Sequence, residues 1–429
     1  MSTTVRHEGL NTALQQWLNE LLPELARDPR AYRRSIDEFY VRHELSNAIT
    51  GAAALPSSNA LVALARTIPF FWSTIDPNPD VPADEASRVT IEVLARFALN
   101  YLAEHQGPQT ETTIFDRIYL ELEQYLFEFD AISYQATVEF WGLEVEQLPL
   151  AVGPQSTFRA PTTQELKEGS NSIIAGPPPP TLTGVKPSPG VLLEIVGAAG
   201  DFARPDHAKA PVDGWVAPLE VDLRSGRILS GLRLLRSGTL YLGALRMKWS
   251  NPFLRSHIAD LATGRFQPLS FDAPPVDYVL PVADQTELQT LTDFLGGGSE
   301  LRKNLQLPIG RFQSAFSRQS EVDRFIDFWI AVEALFSPEQ GSEITFRMCT
   351  ALAQFIGVDP ADKLVVFNAA QDGYNARSKV LHGRKFPDDV DLPTHLPVVE
   401  EHLRRALRRC ASESIKPKNK TLLLELIGT

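Results

Sequence analysis

Cysteine is scarce in this chain of 429 residues, which contains only Cys349 and Cys410. Two cysteines cannot build a disulfide framework or a cysteine-based zinc site. Both lie in segments with a helical pattern, where we expect them to pack as small buried hydrophobic side chains. The composition therefore excludes the disulfide-rich and cysteine-zinc classes of protein.

Sequence motifs for nucleotide and metal binding are missing as well. The chain has no Walker loop, no G-x-G-x-x-G and no H-E-x-x-H. Three successive glycines at 296–298 predict a hinge rather than a phosphate cradle. Most of the histidines lack the spacing of metal ligands: His7, His43, His105, His207, His257, His395 and His402. We therefore expect no metal ion and no cofactor.

Long apolar segments are absent too. No run of eighteen apolar residues occurs, and residues 1–8 lack the apolar stretch of a signal peptide. A hydrophobic content of 43% with 22% charged residues is typical of a globular protein in water. We expect a cytoplasmic protein without membrane contact.

Positive charge is lacking from the front of the chain. The formal net charge is −12, but residues 301–429 hold 18 basic and 16 acidic side chains, so the acidity belongs to residues 1–300. No Lys or Arg occurs between Arg117 and Arg159, a stretch that contains seven acidic residues. Such a stretch repels a phosphate backbone, so RNA contact is expected in the C-terminal part. The acidic front suits binding of a basic protein partner or masking of the active domain, and the ordinary alternative is a solvated surface.

Changes in composition divide the chain into four predicted parts. Residues 1–150 are an acidic region with helical periodicity, and residues 151–190 are a linker rich in proline and glycine. Residues 191–298 contain short β-like runs, which predict a β or α+β domain that could serve as a sensor. Residues 299–429 predict a helical bundle. The expected fold is multidomain and mainly α, with a β-containing middle.

Hydrophobic periodicity locates individual elements in the first three parts. Helical patterns cover 8–50 and 85–105, whereas 114–145 is compatible with helix or strand. The aromatic side chains of 125–141 are expected in the core, since no basic residues interleave with them. Short β-like runs predict strands at 191–196, 216–221, 227–229, 240–242 and 278–280.

The last part has a stronger helical signal. Apolar side chains recur at helical spacing in 325–336 and predict a wide buried face. A further helix is predicted over about 360–381, with Asp359 as its N-cap and Gly383 as a C-terminal cap. The final helix of the bundle is predicted over 398–410.

An arginine and a histidine with four residues between them, Arg377 and His382, lie at the end of the helix predicted to precede the final one. A histidine can transfer a proton near neutral pH, and an arginine can hold a phosphate or a phosphorane with two parallel N–H bonds. Neither needs a metal, so the pair suits cleavage of RNA with the ribose 2′-OH as the internal nucleophile. On a straight helix the two side chains would point about 140° apart. Either the helix distorts near His382, or a second copy of the chain completes the site.

The segments around this pair follow a recognisable order. The run D-R-F-I-D-F-W-I-A-V-E-A-L-F at 323–336 is followed by a helix that contains Arg347, and then by Y-N-A-R-S-K-V-L-H-G at 374–383. This order resembles the ApeA-like branch of the HEPN superfamily, over about residues 300–415. The resemblance implies a HEPN-type helical bundle in this part of the chain.

The HEPN resemblance also implies a function, that of a metal-independent endoribonuclease acting on single-stranded RNA. His382 would be the acid/base, and Arg377 would stabilise charge on the non-bridging phosphate oxygens. HEPN ribonucleases build composite sites at a dimer interface, so the resemblance implies a homodimer. The ApeA-like branch implies a toxin-like effector of antiviral, abortive-infection-type defence with a viral trigger.

Four further residues are candidates to support this site. Glu333 is acidic in an otherwise apolar helix, which predicts that it orients the catalytic pair; the alternative is an exposed or salt-bridged helix residue. Asn375 and Ser378 could add hydrogen bonds, and Tyr374 could line the site or pack. By contrast, Asp327 is predicted to lie on a solvated face.

Basic residues near the C-terminus form a second candidate surface. Arg404, Arg405 and Arg408 fall on adjacent tracks of a helix and predict a stripe for RNA phosphates. Arg384 and Lys385 follow the candidate histidine closely and could guide the strand. The alternative for the stripe is a solvated helix end with acidic residues at its start.

A second function follows if Arg377 and His382 are only a buried polar pair that satisfies helix ends. A histidine in a last helical turn is favourable there because of the helix dipole. In that case the C-terminal part is a non-catalytic module for dimerisation or for binding RNA or nucleotide, attached to a sensor domain.

Overall fold

The structure is a computed structural model that covers the whole chain. It describes residues 7–25, 57, 61, 63–64, 94, 97–105, 109–128, 131–163, 165, 190–198, 216–254, 276–318, 320–337, 343–381, 391–418 and 421–422. Of the linker predicted at 151–190, residues 151–163, 165 and 190 are described, and they include strand residues at 151–153 and 156–159; the rest lies outside the described residues.

Most of the described residues are helical, as expected. The helices are α1 (Glu8–Leu25), α2 (Thr112–Phe127), α3 (Val216–Leu235), α4 (Gln285–Gly296), α5 (Glu300–Asn304), α6 (Gln306–Ala315), α7 (Glu321–Phe336), α8 (Ile344–Ile356), α9 (Pro360–Leu381) and α10 (Leu392–Ser412). The strands are β1 (Ser133–Trp141), β2 (Leu143–Val145), β3 (Leu150–Gly153), β4 (Ser156–Arg159), β5 (Val191–Ala198), β6 (Tyr241–Trp249) and β7 (Tyr278–Leu280). No described helix combines the length with the apolar composition that crossing a bilayer requires.

The chain forms two compact units. The first comprises Met1–Thr137, Ile195–Asp222 and Ala244–Thr263. The second comprises Val138–Glu194, Leu223–Gly243 and Gly264–Thr429. These units do not follow the predicted boundaries at 150, 190 and 298. The physical reason is that strands far apart in sequence join one sheet, which a linear division by composition cannot detect.

In the first unit, α1 has the predicted apolar stripe. Its buried side chains recur every three or four residues: Leu10, Leu14, Trp17, Leu18, Leu21 and Leu22. Residues 97–104 are also helical, and Phe97 packs edge-on against Phe115 of α2, with 5.6 Å between ring centroids. The rest of the predicted helices at 8–50 and 85–105 lies largely outside the described residues.

The ambiguous segment 114–145 divides into the helix α2 and the strands β1 and β2. Tyr125, Tyr134 and Phe140 are almost fully buried, which confirms the prediction of a core position for these three, whereas Phe127 and Trp141 are only half-buried. The glutamate at 111 caps α2, because its carboxylate accepts hydrogen bonds from the backbone N–H groups of Thr113 and Ile114.

Five strands form one sheet in the order β3-β4-β5-β1-β6. β3 and β4 are antiparallel neighbours, with Leu150 opposite Phe158. β2 and β7 form a separate parallel pair in which Leu143 is opposite Tyr278. The strands predicted at 191–196, 240–242 and 278–280 are thus confirmed.

The strands predicted at 216–221 and 227–229 are wrong, since both segments belong to the helix α3. The buried residues of α3 include Val221, Ser225, Ile228, Leu232 and Leu235, which are spaced by four, three, four and three residues, the helical period. Leu229, Ser230, Arg233 and Leu234 near its C-terminal end are buried as well. Ser225, a buried serine in the middle of this stripe, interrupts the apolar pattern, so the periodicity of the sequence does not predict the helix.

In the second unit, the C-terminal helices pack together around α7, which contacts α6, α8, α9 and α10. The predicted apolar face of α7 is buried, as are Phe325 and Phe336 at its two ends. α9 spans the predicted 360–381, and the Asp359 side chain accepts from the Asp362 N–H at 2.9 Å, as a capping residue does. α10 begins at 392, earlier than the predicted 398: Pro393 lies in its first turn, where a nitrogen needs no hydrogen-bond acceptor, and Pro397 is accommodated inside the helix.

The two cysteines are buried and unbonded, as predicted. Burial raises the pKa of the Cys349 thiol to about 12, and it does the same for Cys410. Both thiols are therefore protonated at neutral pH and behave as hydrophobic side chains.

Candidate active site

The candidate site lies where α7 and α9 pack against each other. Trp329 and Glu333 are four residues apart on α7, so their side chains lie on one face of that helix. Gly373, Tyr374 and Arg377 occupy a single face of α9 by the same geometry.

A glycine lets the two helices approach closely. A Cβ atom at Gly373 would lie 2.8 Å from Cζ2 of Trp329, closer than any side-chain atom tolerates. The Trp329 ring in turn packs edge-on against Tyr374, with 5.7 Å between centroids and 79° between planes. The indole thus fixes the position of the α9 backbone and of the tyrosine.

Arg377 is held by one carboxylate and one aromatic ring. Its Nη2 donates to Oε2 of Glu333 at 2.9 Å, and its Cζ lies 5.5 Å from the centroid of the Tyr374 ring. The two charged side chains are only 18% and 25% exposed. The structure therefore brings three of the predicted site residues together: Glu333, Tyr374 and Arg377.

The environment of Glu333 opposes its charge. Burial raises the pKa of this carboxyl, and the attraction of Arg377 offsets only part of that rise. Burial thus favours the neutral acid, whereas Arg377 favours the ionised carboxylate. Whatever disturbs Arg377 therefore also acts on the protonation of Glu333.

Two buried N–H groups at this site have no acceptor within the described part of the chain. They are Nε of Arg377 and Nε1 of Trp329. The ion pair with Glu333 uses only Nη2 of the guanidinium. Arg377 consequently retains donor capacity, which is what binding of a phosphate oxygen beside a structural carboxylate requires.

The two remaining supporting candidates on α9 differ in position. Ser378 is half-buried and follows Tyr374 by four residues, which places it on the same side of the helix. Asn375 is exposed and lies two residues before Arg377, or about 200° around the helix. The structure therefore does not bring Asn375 together with the arginine.

The proposed acid/base lies outside the described residues. The described part of α9 ends at Leu381, and His382, Gly383, Arg384 and Lys385 come after it, outside the described residues.

The predicted basic stripe on α10 is not an exposed surface at Arg404. This residue is 3% exposed, and its guanidinium donates to the carboxylates of Glu400 and Glu401 and to the carbonyl oxygen of Arg233. A buried arginine with three acceptors has no free donor face for a phosphate, which corrects the prediction that Arg404 contacts RNA.

The other two arginines of the stripe are also engaged within the protein. Arg405 donates to Asp362 and to the carbonyl oxygen of Ile356, at 2.7 and 2.6 Å. Arg408 donates to both carboxylate oxygens of Glu287 on α4. These contacts attach α10 to its neighbours, so the basic run is better explained by packing than by an RNA track. The partners lie far away in sequence, where the spacing of the arginines could not indicate them.

Asp327 is another correction, because it is 2% exposed rather than solvated. Its carboxylate accepts from Arg311 Nη1 at 2.8 Å and from Arg318 Nε at 2.6 Å. An acidic residue on the buried side of an apolar helix is a signal for such pairing, since an unpaired buried carboxylate is costly.

Within the described ranges, no three His, Cys, Asp or Glu side chains converge as a metal site would require. No protein-family model matches the chain, and neither does any curated protein or solved structure. The HEPN resemblance thus continues to depend on the sequence motifs alone.

Proposed function

We propose that this chain is a metal-independent endoribonuclease that cleaves single-stranded RNA through Arg377 and His382. The observation that carries the proposal is the state of Arg377. It is held by Glu333 and by the Tyr374 ring, yet its Nε–H has no acceptor, and it lies five residues before a histidine.

The chemistry that this pair suits is internal transesterification. The 2′-oxygen of the ribose attacks the adjacent phosphorus, and the bond from phosphorus to the 5′-oxygen of the next nucleotide breaks. His382 takes the proton from the 2′-OH or gives one to the departing 5′-oxygen. Arg377 donates to the non-bridging oxygens, which gain negative charge in the transition state. Glu333 keeps the guanidinium in place.

The proposed biological role is that of a toxin-like effector in antiviral, abortive-infection-type defence, as the ApeA-like resemblance implies. We propose that the chain acts as a homodimer, because Arg377 and His382 diverge by about 140° on a regular helix. In this proposal the parts of the chain before residue 299 sense a viral trigger. The acidic stretch between Arg117 and Arg159 then suits a basic protein partner.

A cleavage assay on the purified chain tests the catalytic proposal. Labelled single-stranded RNA, the same sequence as DNA, and an RNA with a single 2′-deoxy substitution are compared with and without EDTA. Cleavage of RNA alone, unaffected by EDTA, is expected. The variants His382→Ala and Arg377→Ala should lose activity at least a hundredfold. Cleavage of the DNA strand, or full activity of His382→Ala, would contradict the mechanism.

Matched controls separate loss of chemistry from loss of structure. His395→Ala removes a half-buried histidine of α10, and Arg236→Ala removes an exposed arginine paired with Asp284. Both controls should retain activity. Thermal melting of each variant should stay close to that of the parent protein.

The same ion pair also supports a second function. The carboxylate of Glu333 neutralises Arg377, as it would in an ion pair with a purely structural role. Such a pair is compatible with a non-catalytic module for dimerisation or for binding RNA or nucleotide. Expression in cells distinguishes the two. Growth arrest and RNA fragmentation with the parent chain, but not with the Arg377→Ala/His382→Ala variant, would establish the ribonuclease. Intact RNA in both, with and without viral challenge, would favour the binding module.

A further inference from the structure

Three arginines gather in the second unit away from the candidate active site, and we call them the arginine cluster: Arg233 of α3, Arg324 of α7 and Arg404 of α10. Two of them, Arg233 and Arg324, pack on the aromatic ring of Phe316, and Arg404 donates to the carbonyl oxygen of Arg233. The Cζ atoms of Arg233 and Arg324 are 4.4 and 5.0 Å from the centroid of that ring. One buried glutamate, Glu400, provides acidic charge.

Arg233 is a buried cation with too few partners. The residue is 8% exposed, and its Nη2 donates to the carbonyl oxygen of Leu240 at 2.8 Å. Its Nε–H is buried and has no acceptor. Within the described part of the chain, no carboxylate lies within ion-pair distance of this guanidinium.

Arg324 has a similar unused donor. Its Nη2 donates to Oε2 of Glu400 at 2.6 Å, but its Nε is buried without an acceptor. The Arg324 side chain is 31% exposed. Part of the Arg324 side chain is therefore in contact with solvent.

The charges of the cluster do not balance. Glu400 is shared, because it accepts from Arg324 through one oxygen and from Arg404 through the other. Glu401 adds a second carboxylate to Arg404, but it is half-exposed and points to one arginine only. Two of the three guanidiniums thus share one buried carboxylate, and Arg233 is not paired with it. Burial and the neighbouring Arg324 lower the pKa of Arg233 to about 10, so the group is still charged at neutral pH.

A buried cation without a counter-charge is strongly destabilising, and proteins supply it with an anion or replace it by an apolar residue. We propose that the arginine cluster is a binding site for a small oxyanion, specifically the phosphate group of inorganic phosphate or of a phosphate monoester. Its oxygens accept from the free Nε–H groups of Arg233 and Arg324. Guanidinium N–H groups are the donors best matched to phosphate. The site is independent of the proposed ribonuclease, which uses none of these residues.

Calorimetric titration of the full chain with inorganic phosphate, in chloride buffer of constant ionic strength, tests the proposal. Binding with one phosphate per chain is expected, together with a rise of about 3 °C or more in the melting temperature at saturation. Adenosine monophosphate is the second probe. If adenosine monophosphate binds more tightly than inorganic phosphate, the site is assigned to a phosphate monoester. If it binds equally or more weakly, the site is assigned to the free ion.

Substitutions decide whether the binding occurs at this cluster. Arg324→Gln removes the partly exposed donor and leaves Glu400 paired with Arg404, so the protein should fold and the Kd for phosphate should rise at least tenfold. Arg233→Met should also raise the Kd for phosphate at least tenfold. In the absence of phosphate, the melting temperature of this variant should be no lower than that of the parent protein, since the substitution removes an unpaired charge. Arg236→Met, one turn later on the chain, is the control and should bind phosphate normally. No binding by the parent chain, or an unchanged Kd in Arg324→Gln, would overturn the proposal.

Discussion

Gly373 contacts Trp329 so closely that there is no room for a methyl group between α9 and α7. This contact positions Tyr374 and Arg377, the next residues of the same helical face. The candidate site is therefore built on backbone packing, and the position of its arginine depends on a residue that has no side chain.

Replacement of Gly373 by alanine should destabilise the protein. The added Cβ would meet the indole at 2.8 Å, so α9 or Trp329 must shift, which costs about 1–3 kcal/mol. Gly310 of α6 is the matched control, because a Cβ there meets nothing within 4 Å. Gly310→Ala should stabilise the helix by about 0.5–1 kcal/mol. Equal effects of the two substitutions in urea unfolding would show that the contact is not as tight as described.

Replacement of Glu333 by glutamine should weaken the proposed ribonuclease while leaving it folded. The glutamine amide fills the same space as the carboxylate, but it has no negative charge to hold the guanidinium of Arg377 in position. Displacement of a catalytic group by about 1 Å costs on the order of a hundredfold in rate. The kinetic constants kcat and KM on single-stranded RNA are the measurement, and kcat should carry the loss. Glu321→Gln, an exposed change at the start of the same helix, should leave both constants unchanged; a normal kcat in Glu333→Gln would remove this residue from the mechanism.

The course of the chain through the last helices could be predicted from sequence, because apolar spacing reports burial directly. This spacing predicted the apolar stripe of α7 and the span of α9. It did not predict the helix α3, because Ser225 interrupts the buried stripe of that helix and its remaining apolar runs are short enough to suit strands. A polar residue inside a core can only be identified once its neighbours are known.

The same limit applies to charged residues. Arg404 and Asp327 have the residue types of a solvated surface, but both are buried among partners from other helices. The pairing of Glu333 with Arg377 was easier to predict from sequence. Glu333 is an acidic residue in an otherwise apolar helix, and Arg377 belongs to a motif, so both residues stand out in the sequence. Sequence spacing reports periodicity within one element, whereas ion pairs between elements depend on the tertiary fold.

Substitutions of the two arginines that bind Asp327 should have strongly non-additive effects on the free energy of unfolding. Either one alone still neutralises the buried carboxylate, so Arg311→Gln and Arg318→Gln should each lower the free energy of unfolding only slightly, as the loss of a partly exposed pair usually does. The double variant leaves the carboxylate buried and unpaired, and should cost about 3 kcal/mol or more. A double-mutant cycle in urea measures the difference. Simple additivity of two small effects would mean that Asp327 is stabilised by other groups.

His402 should make the protein less stable in mild acid. Burial, helped by the nearby charge of Arg405 and opposed by Asp362, lowers the pKa of this imidazole from 6.5 to about 4. The unfolded chain therefore binds a proton at a higher pH than the folded chain does. The stability associated with His402 is fully present above pH 6.5 and is lost as pH falls toward 4, by up to about 3 kcal/mol. His402→Gln should flatten this part of the curve of unfolding free energy against pH, compared with His395→Gln on the same helix. An equal slope for the two variants between pH 6.5 and 4 would show that His402 is not the group responsible.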